Sequence, residues 1–129
     1  MKISDAARRA GLPVKTVRYY ADIELVRPPG RTNSNYRDYD PAALAKLVFV
    51  RRARDFGFSI PECRELLALY EDRERSSADV RALAVNHLAE IEAKQRQLAA
   101  LRDELAHLVG ACQGNVRPDC PIMDRLEAE

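Results

Sequence analysis

The chain has few cysteines, and their number limits the chemistry they can support. There are three in 129 residues, too few for a four-thiolate zinc cage or for the dense disulfide framework of a small secreted domain. Two of them, Cys112 and Cys120, have seven residues between them and follow the longest helical stretch. Two thiolates suit a soft metal ion of low coordination number, first of all Cu(I). At this spacing a disulfide, or two unrelated loop cysteines, stays open as an alternative.

Long apolar runs are also missing. No segment approaches the roughly 18 apolar residues that cross a bilayer, and Met1 leads directly into a polar, amphipathic stretch without a signal peptide. We therefore expect a cytoplasmic protein with no membrane partner. Cytoplasmic thiols stay reduced unless they are catalytic, redox-sensing or metal-bound, which favours a metal site over a disulfide.

The sequence also contains no recognisable catalytic motif. Neither histidine lies within a recognisable nucleophile or acid–base motif, so no enzymatic activity is expected. His87 interrupts an apolar helical stripe and is interpreted as a packing residue. His107 lies nearer the two thiols and is considered as an additional metal ligand.

The net charge of +1 hides an uneven distribution along the chain. Residues 1–54 carry 12 basic and 5 acidic side chains, whereas residues 55–129 carry 9 and 15. A basic front half followed by an acidic back half indicates a polyanion-binding head joined to a different kind of module. Double-stranded DNA is the expected partner, and a metal-buffering protein would leave the basic head unexplained.

The first two predicted helices form a helix-turn-helix. Ser4 is expected to cap a helix over residues 5–10 that ends at Gly11, and Pro13 opens a second helix over about 14–23. The second helix of such a pair enters the major groove of DNA. Its candidate groove contacts are Lys15, Thr16, Arg18 and Tyr19.

Residues 27–40 predict a β-hairpin wing, with a solvated loop as the alternative. Two prolines and Gly30 break the helix, and residues 36–39 alternate in polarity like a short strand. A preceding helix-turn-helix favours the wing. The candidate contacts that would position the DNA backbone are Tyr20, Arg31, Tyr36, Arg37 and Arg54.

Two further helices complete the predicted head. Asp40 before Pro41 predicts a helix that ends near Phe56, and a capping box at Ser59 and Glu62 opens another that ends near Tyr70. The expected core consists of apolar residues from the second, third and fourth helices, from the turn before the second and from the segment after it, and includes one thiol: Leu12, Val17, Leu25, Leu44, Leu47, Val48, Phe56, Cys63, Leu66, Leu67 and Leu69.

A long helix over residues 78–109 follows, capped by Ser76 or Ser77 and ended by Gly110. Such a helix spans about 48 Å, which exceeds the width of a small domain. It carries an apolar stripe at heptad spacing, so we expect it to pair with the same helix of a second copy. The stripe comprises Val80, Ala84, His87, Ile91, Lys94, Leu98, Leu101, Leu105 and Leu108.

Short motifs spread along the chain form a specific combination. They are Ile3-Ser4-Asp5, Gly11-Leu12, Val17-Arg18-Tyr19-Tyr20, Leu25-Val26, Asn35-Tyr36-Arg37-Asp38-Tyr39, Arg54 with Gly57-Phe58, Ser77-Ala78-Asp79-Val80, Ala111-Cys112 and Asp119-Cys120-Pro121-Ile122. In this combination the chain resembles the mercury-resistance (MerR) type of bacterial transcription regulators. Within that family it is most similar to the copper-responsive branch.

The resemblance implies a mainly α fold in three parts. Residues 1–75 would form a winged helix-turn-helix head with a small β-hairpin wing, and residues 76–110 an antiparallel coiled-coil dimerisation helix. Residues 111–129 would form a metal-binding loop and a short C-terminal helix. The resemblance also implies that Cys112 and Cys120 hold one monovalent ion, Cu(I) or else Ag(I) or Au(I).

In the family that the chain resembles, the residue at the position of Ser77 differs between sensors of monovalent and of divalent ions. Relatives that sense divalent ions carry cysteine there, and sensors of monovalent ions carry serine, as here. Two thiolates and one monovalent cation leave a charge of −1, which backbone dipoles can offset. The resemblance implies that Ser77 comes from the partner subunit and helps to enclose the site.

The resemblance further implies activation of copper-resistance and efflux genes. A dimer would sit on a promoter in both metal states, and the metal would change the angle between the heads and distort the DNA for RNA polymerase. Sensing of Zn(II) or an organic ligand, or a reversible disulfide between the loop cysteines, stays open. Pro13, Ala21 and Asn35 depart from the family pattern and affect the expected operator preference.

Overall fold

Six helices and one short hairpin make up the part of the chain that the computed structural model describes, residues 1–31 and 37–128. The predicted mainly α fold with a small hairpin is confirmed. The chain divides into two units, Met1–Leu83 and Ala84–Glu129, while the functional division into head, dimerisation helix and loop stays a prediction. The elements are α1 (Ile3–Ala10), α2 (Val14–Asp22), β1 (Gly30–Arg31), β2 (Arg37–Asp38), α3 (Pro41–Asp55), α4 (Ile60–Glu71), α5 (Ser77–Ala111) and α6 (Pro121–Glu127).

The helix-turn-helix consists of α1 and α2, and its first helix starts earlier than predicted. The carbonyl of Lys2 accepts the N–H groups of Asp5 and Ala6, so α1 begins at Ile3 with Lys2 as its N-cap. The prediction that Ser4 caps this helix is wrong, because Ser4 already lies inside the first turn and is exposed. The predicted stop is correct: Gly11 takes the left-handed conformation, with φ of 73°.

The hairpin is antiparallel and short. Gly30 pairs with Asp38 and Arg31 with Arg37. Arg37 also donates to the carboxylate of Asp22, at 2.8 Å, which ties the second strand to the end of α2. The predicted wing residue Tyr36 and the departure at Asn35 lie outside the described residues.

The starts of α3 and α4 follow the predicted capping chemistry. The carboxylate of Asp40 accepts the N–H of Ala43 at 2.8 Å. At α4 the hydroxyl of Ser59 accepts the N–H of Glu62, and the carboxylate of Glu62 accepts the N–H of Ser59, so the capping box is complete. Each cap satisfies backbone donors that the first helical turn leaves without a partner.

The core of the head lies between α1, α2, α3 and α4. It buries five of the predicted core residues, Val17, Leu25, Leu47, Cys63 and Leu67, and Leu12, Leu44, Val48 and Leu66 pack against it. Leu69 is half-buried. The core also includes Tyr39 after the second strand, which was not predicted.

Phe56 is the predicted core residue that the structure places elsewhere. Its side chain is 73% exposed. It is the C-cap of α3, and Gly57 after it takes a φ of 86°. Phe56 lies nine residues after Leu47, and at about 3.6 residues per turn this places it on the opposite face of the helix. Phe58 packs against the core instead.

The long helix α5 extends past the predicted stop. The hydroxyl of Ser76 accepts the N–H of Asp79, as predicted for a cap. Gly110 does not end the helix, because the N–H of Cys112 still donates to the carbonyls of Leu108 and Val109. The glycine with a left-handed backbone is Gly114, in the following loop. None of the helices in the described ranges is both long and apolar enough to span a bilayer.

The capping box at α4 gives the first prediction. Replacing Ser59 with alanine removes the side-chain acceptor of the cap, so we expect the free energy of unfolding to fall by about 1 kcal/mol. Ser4→Ala is the matched control, because Ser4 makes no cap, and should change stability by less than about 0.5 kcal/mol. Urea unfolding at one fixed protein concentration measures both. Equal losses in the two variants would contradict the assignment.

Candidate metal centre and nucleic-acid interface

Two thiols meet where α5 ends and α6 begins. Cys112 is the first residue after α5, and Cys120 is the N-cap of α6, with Pro121 at its first position. Their sulfur atoms lie 3.2 Å apart, and both side chains are half-buried. Since a disulfide requires about 2.05 Å, these are two separate thiols in contact.

Polar contacts close the loop that brings the thiols together. The side chain of Asn115 accepts the N–H of Arg117 at 2.9 Å and donates to the side chain of Gln113. Beyond the loop, Arg125 of α6 donates to the carboxylate of Glu104 of α5 at 2.6 Å. These contacts hold α6 beside the end of α5, and the thiol pair lies at their junction.

The two loop thiols and the core thiol have different electrostatic environments. The backbone N–H of Met123 in the first turn of α6, and next the thiol of Cys112, lower the pKa of Cys120 below its ordinary value. Burial raises the pKa of Cys63, whose thiol is fully buried and donates to the carbonyl of Phe58. Cys63 is therefore the packed core residue that the sequence predicted, and the thiolate character lies at the loop.

The donor set at the loop consists of the two sulfurs. Among residues 1–31 and 37–128, no histidine, aspartate or glutamate ligand atom lies close enough to both sulfurs to complete a three-ligand group. His107, considered as an additional ligand, is exposed on α5 and does not join them. His87 is buried, as expected for a packing residue, and pairs with Glu90 at 3.5 Å.

Ser77 does not join the thiols within one chain. It is the first residue of α5 and is exposed, whereas Cys112 follows the last residue of this 35-residue helix. At about 1.5 Å per helical residue, the two ends are too far apart to share a ligand site. A contact between Ser77 and the thiols requires a second copy.

The residues of the recognition helix α2 that the sequence predicts to contact DNA differ in burial. Lys15, Arg18 and Tyr19 are exposed, and Thr16 is half-buried. Tyr20 is 5% exposed and belongs to the core, so only a small edge of its side chain is accessible to DNA. Burial raises the pKa of Tyr20, and the neighbouring guanidinium of Arg54 partly offsets this effect.

The other predicted backbone contacts lie around the hairpin and at the end of α3. Arg31 is exposed, and Arg37 is half-buried in its ion pair with Asp22. Arg54 is exposed and donates to the carbonyl of Phe58 at 2.6 Å. The described members of this set thus place cationic groups at the surface of the head, where Arg37 pairs with Asp22 and Arg54 donates to the carbonyl of Phe58.

One face of α5 is apolar and exposed. Leu98, Leu101, Leu105 and Val109 each expose more than half of their side chains. Together with the neighbouring Arg102 and Ala106 they line an open groove of about 460 Å³. Leu98, Leu101 and Leu105 belong to the heptad stripe that the sequence assigned to a coiled coil, and Val109 lies beside the last position of that stripe, Leu108.

The thiol environments generate a prediction. We expect Cys120 to react with iodoacetamide at lower pH than an ordinary thiol, because its lowered pKa keeps the thiolate as the pH falls; the rate drops once the pH passes below that pKa. Cys112→Ala should raise the pKa only in part, since the N–H of Met123 remains the larger cause. Mass spectrometry of each labelled cysteine against pH measures this.

Cys63 in the same sample is the internal control. It should stay unlabelled in the folded chain, because its thiol is buried and its pKa is raised. An ordinary titration of Cys120, or complete loss of its shift in Cys112→Ala, would argue against the assigned cause.

Comparison with known proteins places the chain in a family. The family model for MerR helix-turn-helix regulatory proteins matches residues 1–69, and the MerR DNA-binding model matches residues 44–108. The chain is 56% identical over 126 residues to the transcriptional regulator HmrR of Rhizobium leguminosarum bv. viciae, covering 98% of this chain and 97% of the relative. It is 46% identical to heavy metal-dependent transcription regulator 2 of Rhizobium meliloti, covering 98% and 86%.

A solved structure agrees with these sequence matches. The transcription regulator PbrR691 from Ralstonia metallidurans CH34, crystallised with lead(II), superposes with a TM-score of 0.84 at 34% identity and covers 98% of both chains. The sequence relatives are transcription regulators rather than enzymes. The resemblance found in the short motifs is thereby confirmed, and the chain belongs to the MerR family of helix-turn-helix transcriptional regulators.

Proposed function

We propose that this chain is a metal-responsive transcription regulator that binds promoter DNA as a homodimer and senses Cu(I) through Cys112 and Cys120. Ag(I) and Au(I) are further candidate ions. The observation that carries the proposal is the pair of half-buried thiols, 3.2 Å apart, with no third ligand atom beside them among the described residues. The regulated genes would be those for copper resistance and efflux.

The donor set favours a monovalent soft ion. Zinc sites commonly use four ligands and hard divalent ions prefer oxygen, whereas thiolates select Cu(I). Two thiolates would leave one excess negative charge on a monovalent ion. The backbone N–H of Met123, which already lowers the pKa of Cys120, lies where it can offset that charge.

The names of similar proteins support a metal as effector without fixing which one. One relative is described as heavy metal-dependent, and one similar structure contains lead(II). Zn(II) and Pb(II) are therefore the alternative effectors to test. A thiol redox sensor is the second candidate function, since two sulfurs 3.2 Å apart need only a small movement to form a disulfide.

The exposed apolar groove on α5 supports a homodimer. The apolar groove needs a covering helix, and an antiparallel second copy would place the start of its α5 beside the end of the first. Ser77 of that copy could then approach the thiols, which a single chain does not allow. Serine there adds no third thiolate, in keeping with a monovalent ion.

The metal loop would act on DNA through α5. A bound ion would supply two metal–thiolate bonds at the junction of the helices. Cys112 directly follows the last residue of α5, and the ion pair between Glu104 and Arg125 joins α5 to α6. We propose that the state of the loop changes how the dimer holds its two heads, which bends and untwists the promoter for RNA polymerase.

The metal site is tested by titrating the reduced protein with Cu(I), Ag(I), Zn(II) and Pb(II) against a competing chelator, beside a promoter readout. We expect Cu(I) to bind and activate. Cys112→Ser and Cys120→Ser each remove one of the two proposed ligands. Loss of a residue that only supports a ligand can lower metal affinity by about 100-fold, so we expect each of these variants to lower Cu(I) affinity by more than that. Both should still bind DNA.

Cys63→Ala is the control for that experiment, because it removes a core thiol and should keep the metal response. Activation by zinc without activation by copper would contradict the proposal. A reversible mass loss of two hydrogens on mild oxidation, with promoter activation and no metal dependence, would favour the redox sensor.

The dimer seam has its own test. Leu101→Lys places a charge in the apolar groove of α5, so we expect a shift toward monomer and weaker DNA binding. Ala100→Lys adds the same charge outside the heptad stripe and should leave the dimer intact. Sedimentation equilibrium measures both masses. A Leu101→Lys variant that stays dimeric would contradict the proposed seam.

A further inference from the structure

The recognition helix ends in a turn that normally uses glycine. The N–H of Leu25 donates to the carbonyl of Tyr20, and the N–H of Glu24 to the carbonyl of Ala21. This is the Schellman pattern, whose left-handed position glycine usually occupies. Here Glu24 occupies it with φ of 60°, the one positive φ of a non-glycine residue in the described ranges. A side chain with a Cβ disfavours this backbone, so the turn needs outside support.

The support comes from Arg64 on α4. One guanidinium nitrogen donates to the carbonyl of Ile23 at 2.9 Å, and another to the carbonyl of Glu24 at 3.1 Å. The planar guanidinium presents two parallel donors in a fixed geometry, which fits two successive carbonyls. Carbonyls at a helix C-terminus carry partial negative charge, so a cation there is favourable.

The helix that carries Arg64 is firmly seated. Cys63 and Leu67 on either side of it are buried in the core of the head. The side chain of Glu24 is held separately by an ion pair with Arg27 at 2.9 Å. Arg64 thus links the backbone at the end of α2 to an element whose own position the core fixes.

We propose that Arg64 is a positioning residue for DNA recognition. It ties the C-terminal end of α2 to α4 and so sets the orientation in which Arg18 and Tyr19 reach the groove, without contacting DNA itself. This inference rests on the proposed docking of α2. Arg64 is exposed, so direct phosphate contact and simple support of the fold are the two competing roles.

Arg64→Gln in the full-length reduced protein separates these roles. The probes are a duplex selected by the wild-type protein from a randomised pool, and a scrambled duplex of the same length. Because two bonds from a charged donor are lost, we expect operator affinity to fall at least about fivefold. The salt dependence should stay that of the wild type, because no phosphate contact is removed.

Arg75→Gln is the matched control. Arg75 also donates to carbonyls at a helix C-terminus, those of Leu69, Tyr70 and Asp72, but at the end of α4 rather than at the recognition helix. As a surface change away from α2, it should alter operator affinity by less than about twofold. Urea unfolding checks that every variant is folded, and Arg64→Lys replaces the glutamine variant if that one does not fold.

Glu24→Gly is the rescue variant. Glycine adopts the left-handed turn without outside support, so the double variant Glu24→Gly with Arg64→Gln should recover at least half of the lost affinity on a logarithmic scale. A role in general fold stability would not give this recovery in DNA binding. Absence of recovery would overturn the link between Arg64 and the turn.

The remaining outcomes are distinct. Wild-type operator affinity in folded Arg64→Gln would reduce Arg64 to fold support, and a salt slope lower by about 1 would make it a phosphate contact; either overturns the inference. Arg18→Ala tests the docking itself and should lower operator affinity, because it removes a proposed groove contact. If Arg18→Ala binds as the wild type does, the proposed docking fails, whereas failure of Arg64→Gln alone refutes only the positioning role.

Discussion

The uncovered apolar face of α5 is the constraint on which the rest of this molecule depends. A helix of 35 residues with exposed leucines along one side needs a partner helix, because apolar surface of this extent is not left in water by a stable monomer. Pairing two copies makes the regulator two-fold symmetric, as a palindromic operator requires. The pairing of the two α5 helices also determines which residues of one copy can contact residues of the other.

The thiol pair depends on the same helix. The backbone hydrogen bonds of α5 continue through Gly110, so Cys112 is fixed at the helix end rather than carried on a free loop. Cys120 meets it because α6 begins there and Arg125 pairs with Glu104. In the function proposed above, these two soft donors and the backbone N–H of Met123 would hold one monovalent ion.

In the head, side-chain contacts between elements fix the position of α2. The hairpin is joined to α2 by the Arg37–Asp22 pair, and the end of α2 is joined to α4 by Arg64. Both ties meet the C-terminal end of the recognition helix. A head built this way can present α2 to DNA as a rigid element, which the reading of base edges requires.

Local chemistry made much of this protein predictable from its sequence: the capping box at Ser59, the left-handed Gly11, the heptad stripe and the cysteine spacing all act over a few residues. The core prediction was wrong at Phe56, which lies on the face of α3 opposite Leu47. The stop predicted at Gly110 was also wrong, because the end of a helix depends on whether later backbone groups find partners. Only the tertiary structure decided that Cys112 and Cys120 touch with no third ligand atom beside them among the described residues, and that Arg64 donates to the carbonyls of Ile23 and Glu24. Those contacts join residues distant in sequence or set by loop closure, and no local pattern specifies where such residues meet.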